Sequence, residues 1–252
     1  MKDHDTAIGG ASPAFPLTRH SIVQALGAGD PTQRERAWET IVHGYWKPAY
    51  KHLRIRWGKS NEDAKDLTQA FFARAIEKDF FASFDESKSR FRTFLRTCLD
   101  GFVANETKSA NAIKRGGGTL IDRLDFDRAE DELAQRPNAK AVSTDDVFDR
   151  EWLRSLVAAA VDGLRAAAAS VAQRQAFEMF LACDMASAHA ESRPSYGDLA
   201  QRFGVDTVTV TNRLSAARRD FRACLMARIR AVTANDDEFR AEVRTVLGFD
   251  PP

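Results

Sequence analysis

Apolar residues recur every three or four positions along almost the whole chain, and this spacing constrains the fold more than any other feature. Trp38, Ile41, Val42, Tyr45 and Trp46 share one face of a helix starting near Thr32. Phe91, Phe94, Leu95, Leu99 and Phe102 do the same between Ser87 and Thr107. After Arg150 the pattern resumes with Trp152, Leu156 and Val161 beside Leu153, Val157 and Leu164. The lone alternating β-branched run, Val205 to Thr211, leads straight into a charged helical stretch. The expectation is an all-α protein. A first helix is expected at Thr18–Leu26, Pro48 should bend or restart the second, and Ser60 or Asn61 can cap the next. A last helix should run from Asp237 to Leu247 and end at Gly248.

Composition divides the chain into five parts. Residues 1–16, with Gly9, Gly10, Pro13 and Pro16, read as a flexible tail, followed by a helical domain over 17–115. Residues 116–149 open on Gly116-Gly117-Gly118 and hold nine acids against four bases, which reads as an acidic linker with room for a short helix. A second helical domain occupies 150–232, and 233–252 form a carboxy-terminal extension.

Lys and Arg number 37 and Asp and Glu 36, so the net charge of +1 excludes a uniformly basic nucleic-acid coat but not local patches. No apolar run reaches the roughly 18 residues of a membrane span, and no basic-then-apolar leader is present. The protein is therefore expected to be soluble and cytoplasmic, with no membrane partner. Cys98, Cys183 and Cys224 lie too far apart for a CxxC site, and the five histidines form no HxxxH pair. No catalytic residue, metal ligand or cofactor is assigned.

The strongest local signal runs from Ser195 to Arg219. Leu199, Ala200 and Phe203 form the apolar face of a short helix, Gly204 permits a turn, Val205 plugs the core and Asp206 can cap the following helix. That helix buries Val210 and Leu214 and leaves Thr209, Thr211, Asn212 and Arg213 outward. This is the pattern of a helix-turn-helix, whose second helix enters the major groove of DNA. Residues 207–230 carry six arginines, Arg218 and Arg219 among them, against one acid, Asp220. A solvated arginine face on an ordinary helical hairpin is the plainer alternative.

Two further clusters stand out. Lys88, Arg90, Arg92 and Arg96 interleave with Phe91 and Phe94, a combination suited to phosphate neutralisation and base stacking, although either ring can equally be core. Lys108, Lys114 and Arg115 continue the positive charge. Glu62, Asp63 and Asp66, with Lys65 between them, occupy the first turns of a helix, where the macrodipole alone favours acids.

Together, Glu62-Asp63-Ala64-Lys65-Asp66-Leu67-Thr68-Gln69, Phe91-Arg92-Thr93-Phe94-Leu95 and the 195–219 stretch resemble the sigma-70 family of bacterial RNA polymerase sigma factors, in its small extracytoplasmic-function (ECF) form. The resemblance spans about residues 20–115 and 150–230. It implies a sigma-2-like and a sigma-4-like domain that bind core RNA polymerase at the beta-prime clamp helices and the beta flap and direct it to promoter DNA. Glu62, Asp63, Asp66 and Gln69 would face the polymerase. Lys88, Arg90, Phe91, Arg92, Phe94, Asn105, Lys108, Lys114 and Arg115 would serve the −10 element, Phe91 and Phe94 helping to hold a flipped base. Thr207, Thr209, Thr211, Asn212, Arg213, Arg218 and Arg219 would read the −35 element.

The acidic helix departs from the family pattern: Lys65 stands where an acid and Thr68 where an apolar residue is usual. The chain also resembles a subgroup regulated by serine/threonine kinases, which makes Thr68 the candidate phosphorylation site, since a phosphate would add about −1.5 to −2 charges. An anti-sigma factor is a further partner the family implies. Two other readings stay open. One is a helix-turn-helix regulator whose amino-terminal domain binds a protein. The other is a nucleic-acid enzyme, for which Gly116–Gly118 lacks the Lys-Ser/Thr of a phosphate loop.

Overall fold

A computed structural model of the chain describes residues 25–26, 30–108, 124–134, 144–185 and 193–251. Among them are nine α-helices and no strand, as the apolar spacing predicts. They are α1 (Pro31–Ile55), α2 (Asn61–Glu77), α3 (Phe91–Lys108), α4 (Phe126–Ala134), α5 (Thr144–Ala167), α6 (Val171–Phe180), α7 (Tyr196–Phe203), α8 (Thr207–Ala231) and α9 (Asp236–Leu247). A 3-10 turn (Phe80–Ser83) precedes α3, and α6 runs on into a π-helical turn (Leu181–Met185). The tail at 1–16, the glycines 116–118 and most of the helix expected at Thr18–Leu26 lie outside the described residues.

Local chemistry sets most boundaries. Asp30 accepts a hydrogen bond from the Thr32 N–H at 2.9 Å, and Pro31 occupies the first turn of α1, where no backbone donor is needed. Of the two expected outcomes, a bend or a restart, the restart does not occur: α1 runs through Pro48 as one helix. An interior proline costs an isolated helix about 3 kcal/mol. Here Tyr45, Trp46, Ala49, Tyr50 and Leu53 are all buried around it, and packing carries the helix across. Ser60 caps α2, accepting from the Asp63 N–H at 3.1 Å. Helix α3 starts at Phe91 instead of Ser87 because the Asp85 carboxylate takes both the Ser87 N–H (3.0 Å) and its hydroxyl (2.6 Å), closing a turn. The β-branched run at Val205–Thr211 becomes the first turn of α8 because Asp206 caps it, accepting from the Thr209 N–H at 2.6 Å.

The segment expected to be a linker holds α4 and the start of α5, and both are packed. Phe126 meets Trp46 and Tyr50 edge-on, with ring centres 5.2 and 5.3 Å apart. Glu132 accepts from Lys47 at 2.9 Å and Lys51 at 2.5 Å, while Glu130 takes Arg54 at 3.0 Å and the Tyr50 hydroxyl at 2.5 Å. The acids of this segment therefore complement bases of α1. Lys51 is fully buried and also pairs with buried Glu151 of α5 at 3.1 Å.

Two apolar cores result. The larger joins α1, α2, α3 and α4 to Phe148, Trp152, Leu156 and Ala160 of α5, Leu225 and Ile229 of α8, and Phe239 and Val243 of α9. The smaller gathers Leu164, Phe177, Phe180, Cys183, Leu199, Val210, Leu214 and Ala217. Helices α5 and α8 each contribute to both, and Phe221 packs against both. A boundary at 149/150 therefore does not separate two independently packed halves. Gly44 leaves room for the residue that ends α8: a Cβ there would sit 2.7 Å from Cγ1 of buried Val232, and Tyr45 donates to the Val232 carbonyl at 3.0 Å.

Two predictions follow from this packing. Gly44→Ala should lower stability by about 1–3 kcal/mol through overpacking against stiff Val232. Gly101→Ala, which meets nothing within 4 Å, should raise it by up to about 1 kcal/mol; chemical denaturation of the pair will show the opposite signs. The Arg54 hydrogen bond holds the Glu130 carboxyl below its ordinary value of 4.5. Its contribution is thus present above that pH and lost as the pH falls below it. Glu130→Gln should flatten the acid limb of the stability curve measured by denaturation at stepped pH.

Candidate nucleic-acid interface

The helix-turn-helix is assembled by short-range signals. Ser195 and Asp198 form a reciprocal capping box at the start of α7, and Gly204, at φ +63°, ends it in the left-handed conformation. Leu199, Val210 and Leu214 are buried, and Ala200, Phe203 and Val205 pack against the same core, as the sequence predicts. The outward stripe of α8 consists of Thr207, Val208, Thr211, Asn212, Ser215, Arg219 and Arg222, all exposed.

That stripe differs from the expected −35 set in three places. Thr209 is only half-exposed. Arg213 is half-buried and donates to Oε1 of Gln175 on α6 at 2.5 Å. Arg218 makes a forked pair with Asp184 at 2.8 and 3.0 Å, so its guanidinium braces the π-helical turn. Sequence reasoning also missed Val208, 66% exposed, and Ser215. The helical period would have found both, since 207, 208, 211, 212, 215 and 219 fall on one face.

The basic–aromatic cluster proves to be largely internal. Phe91 is fully buried, edge-on to Tyr45 at 5.6 Å and to Phe81 and Phe84 at 5.3 Å. Phe94 is half-buried against Phe84. Arg92 lies 4.8 Å over the Trp152 ring and pairs with Glu242 at 3.0 Å and Asp149 at 3.5 Å. Arg90 pairs with Glu242 at 3.3 Å, and the Phe91 N–H donates to Glu238 at 2.8 Å. Lys88 is exposed, beside Asp85 at 2.9 Å. In this conformation Phe91 and Arg92 are both internal, so neither the flipped-base contact expected of Phe91 nor the DNA contact expected of Arg92 is presented at the surface. Asn105 is exposed in a groove that Arg74, Lys78 and Glu106 also line. Lys108 ends α3, and Lys114 and Arg115 lie outside the described residues.

Glu238 and Glu242 are the residues that sequence reasoning passed over. They stand one turn apart on the inward face of α9, beside Phe239 and Val243. Burial pushes both carboxyls above their ordinary value, against the opposing pull of Arg92 and Arg90. The available signal was an acid pair on the apolar stripe of an amphipathic helix.

On α2 the expected polymerase-facing acids are open: Glu62, Asp63 and Asp66 are exposed and Gln69 is half-buried. Lys65 leans towards Asp127 of α4 at 3.2 Å, so a neighbouring acid offsets its charge. Thr68, in contrast, is fully buried, its hydroxyl donating to the Ala64 carbonyl at 2.7 Å. It is not presented to a kinase in this conformation, nor does it sit on a solvated face. Among the described residues no three metal-ligating side chains gather, and no helix is long and apolar enough to cross a membrane.

The two kinds of arginine should respond differently to truncation. Arg92→Ala leaves buried Glu242 with Arg90 alone, at 3.3 Å, and should cost about 3 kcal/mol of stability. Arg219→Ala, on the open stripe, should stay within about 0.5 kcal/mol of the parent. Denaturant unfolding of both variants checks the contrast.

No family model, no curated protein and no solved structure matches this chain.

Proposed function

We propose that the chain is an alternative sigma factor that acts in the cytoplasm, docks on core RNA polymerase through the acidic face of α2 and reads promoter DNA with α8. The observation that carries this reading is the α8 stripe. Thr207, Val208, Thr211 and Asn212 stand open on the first turns of a well-capped second helix, with Arg219 and Arg222 farther along for phosphates. The amino-terminal turns of such a helix meet base edges, and asparagine can pair bidentately with adenine. The open acids Glu62, Asp63 and Asp66 support docking on a basic protein surface. Activation through Thr68 has no such support. A phosphate there would first have to lift α2, with its buried Leu67, Phe71 and Phe72, out of the larger core.

One observation favours the second reading, a helix-turn-helix regulator whose amino-terminal half binds another protein: Phe91 and Arg92 are internal, and such a regulator needs no −10 contact. Reconstitution with core polymerase separates the two. The sigma reading expects a stable complex and run-off transcripts from promoters selected out of a genomic library. Intact DNA binding without polymerase association favours the regulator. In either case Asn212→Ala should relax selection at one base pair, losing about 1–3 kcal/mol of discrimination. Arg219→Ala should weaken binding to all sequences and lower the salt slope by about one.

A further inference from the structure

Helix α9 lies over a cluster of positive charge at the start of α3. The Phe91 N–H has no acceptor within its own helix, standing at the amino terminus of α3, a position that attracts anions. Arg90 and Arg92 flank it, and the Arg92 Nε is buried without a hydrogen-bond partner. Two guanidinium groups and an aligned backbone donor form the kind of set that holds a phosphate. In this structure the anions are carboxylates of the chain itself: Glu238 at Phe91 N–H and Glu242 at both arginines, both from α9, with Asp149 of α5 also on Arg92 at 3.5 Å. Asn235, the cap of α9, adds a hydrogen bond to Glu86 at 2.9 Å.

We propose that α9 is an acidic strap that occupies, in cis, a phosphate-binding cluster formed by Arg90, Arg92 and the Phe91 N–H, and that nucleic acid reaches this surface by displacing it. The inference rests on the reading of residues 88–92 as a nucleic-acid contact and adds that the contact is closed at rest. The composition of the strap fits displacement. Of its four buried side chains, Phe239 and Val243 are apolar, while Glu238 and Glu242 are carboxylates. Buried ion pairs roughly break even against their desolvation, so half of the docked face adds little to its hold. A polyanion brings many phosphates to the same arginines and to exposed Lys88, and gains the entropy of released counterions.

The test uses the full chain and a fluorescein-labelled 25-nucleotide random-sequence single strand at low salt. Replacing both acids, Glu238→Gln with Glu242→Gln, should tighten binding about tenfold. Amide exchange over residues 236–247 should rise at least tenfold when DNA is added to the parent chain. Should the double variant fold poorly, a second arm applies. Glu86→Cys with Asn235→Cys, in a chain lacking Cys98, Cys183 and Cys224, is joined by a short cleavable crosslinker. The lock should lower affinity about tenfold, and cleavage should restore it. Equal affinity with the lock open and closed, together with unchanged exchange in α9 on DNA binding, overturns the strap. If Lys88→Ala and Arg90→Ala leave the affinity of the unlocked double-glutamine variant untouched, the reading of 88–92 as a DNA contact itself fails.

Discussion

Lys51 is the charge on which the larger core depends. It is 1% exposed, and its ammonium meets Glu151 at 3.1 Å and Glu132 at 2.5 Å. A buried ammonium is tolerable only when paired, so α1, α4 and α5 must come together at this point or not at all. The pair gives direction as much as stability, because it sets the register of α5 along α1. Helix α5 then carries the chain to Leu164 and the smaller core, which positions the helix-turn-helix. A contact deep in one end of the molecule thus fixes the platform at the other.

The near-zero net charge takes on a structural meaning here. Acids of α4 meet Lys47, Lys51, Arg54 and Lys65, while the acids of α9 meet Arg90 and Arg92. Much of the balance is struck inside the fold. Among the open charges, carboxylates stand on the first turns of α2 and arginines on the outer stripe of α8.

How much of this was legible in the sequence depended on the range of the signal. The helix-turn-helix was readable because each of its determinants acts within a few residues: Ser195 on Asp198, Gly204 on its own φ, Asp206 on Thr209. The all-helical class was readable for the same reason. The joined cores were not, because nothing near Glu130 or Glu132 shows that their partners lie some 80 residues away. An acidic, glycine-led stretch reads as solvent-facing until Lys47, Lys51 and Arg54 are seen to turn towards it. The burial of Arg92 and the role of Glu242 share that cause, being 150 residues apart in sequence. Thr68 is a different case. It lies in step with Ala64, Leu67, Phe71, Phe72 and Ala75 on the apolar stripe of α2, and period alone placed it inside. The family resemblance drew attention to its hydroxyl instead.

Helix α8 is a single element of 25 residues, from Thr207 in the exposed stripe to Ala231 beside the α9 cap. At 1.5 Å per residue it is a rod about 37 Å long. A tilt of about 5° at the Thr207 end moves the far end by about 3 Å, more than half a helical turn. Its last turns carry Ile229, packed in the larger core, and Arg230, whose guanidinium sits 3.9 Å over the Phe239 ring of α9. The exposed stripe proposed to read bases and the seat of the proposed strap are therefore opposite ends of one helix, so that reorienting either would load the other.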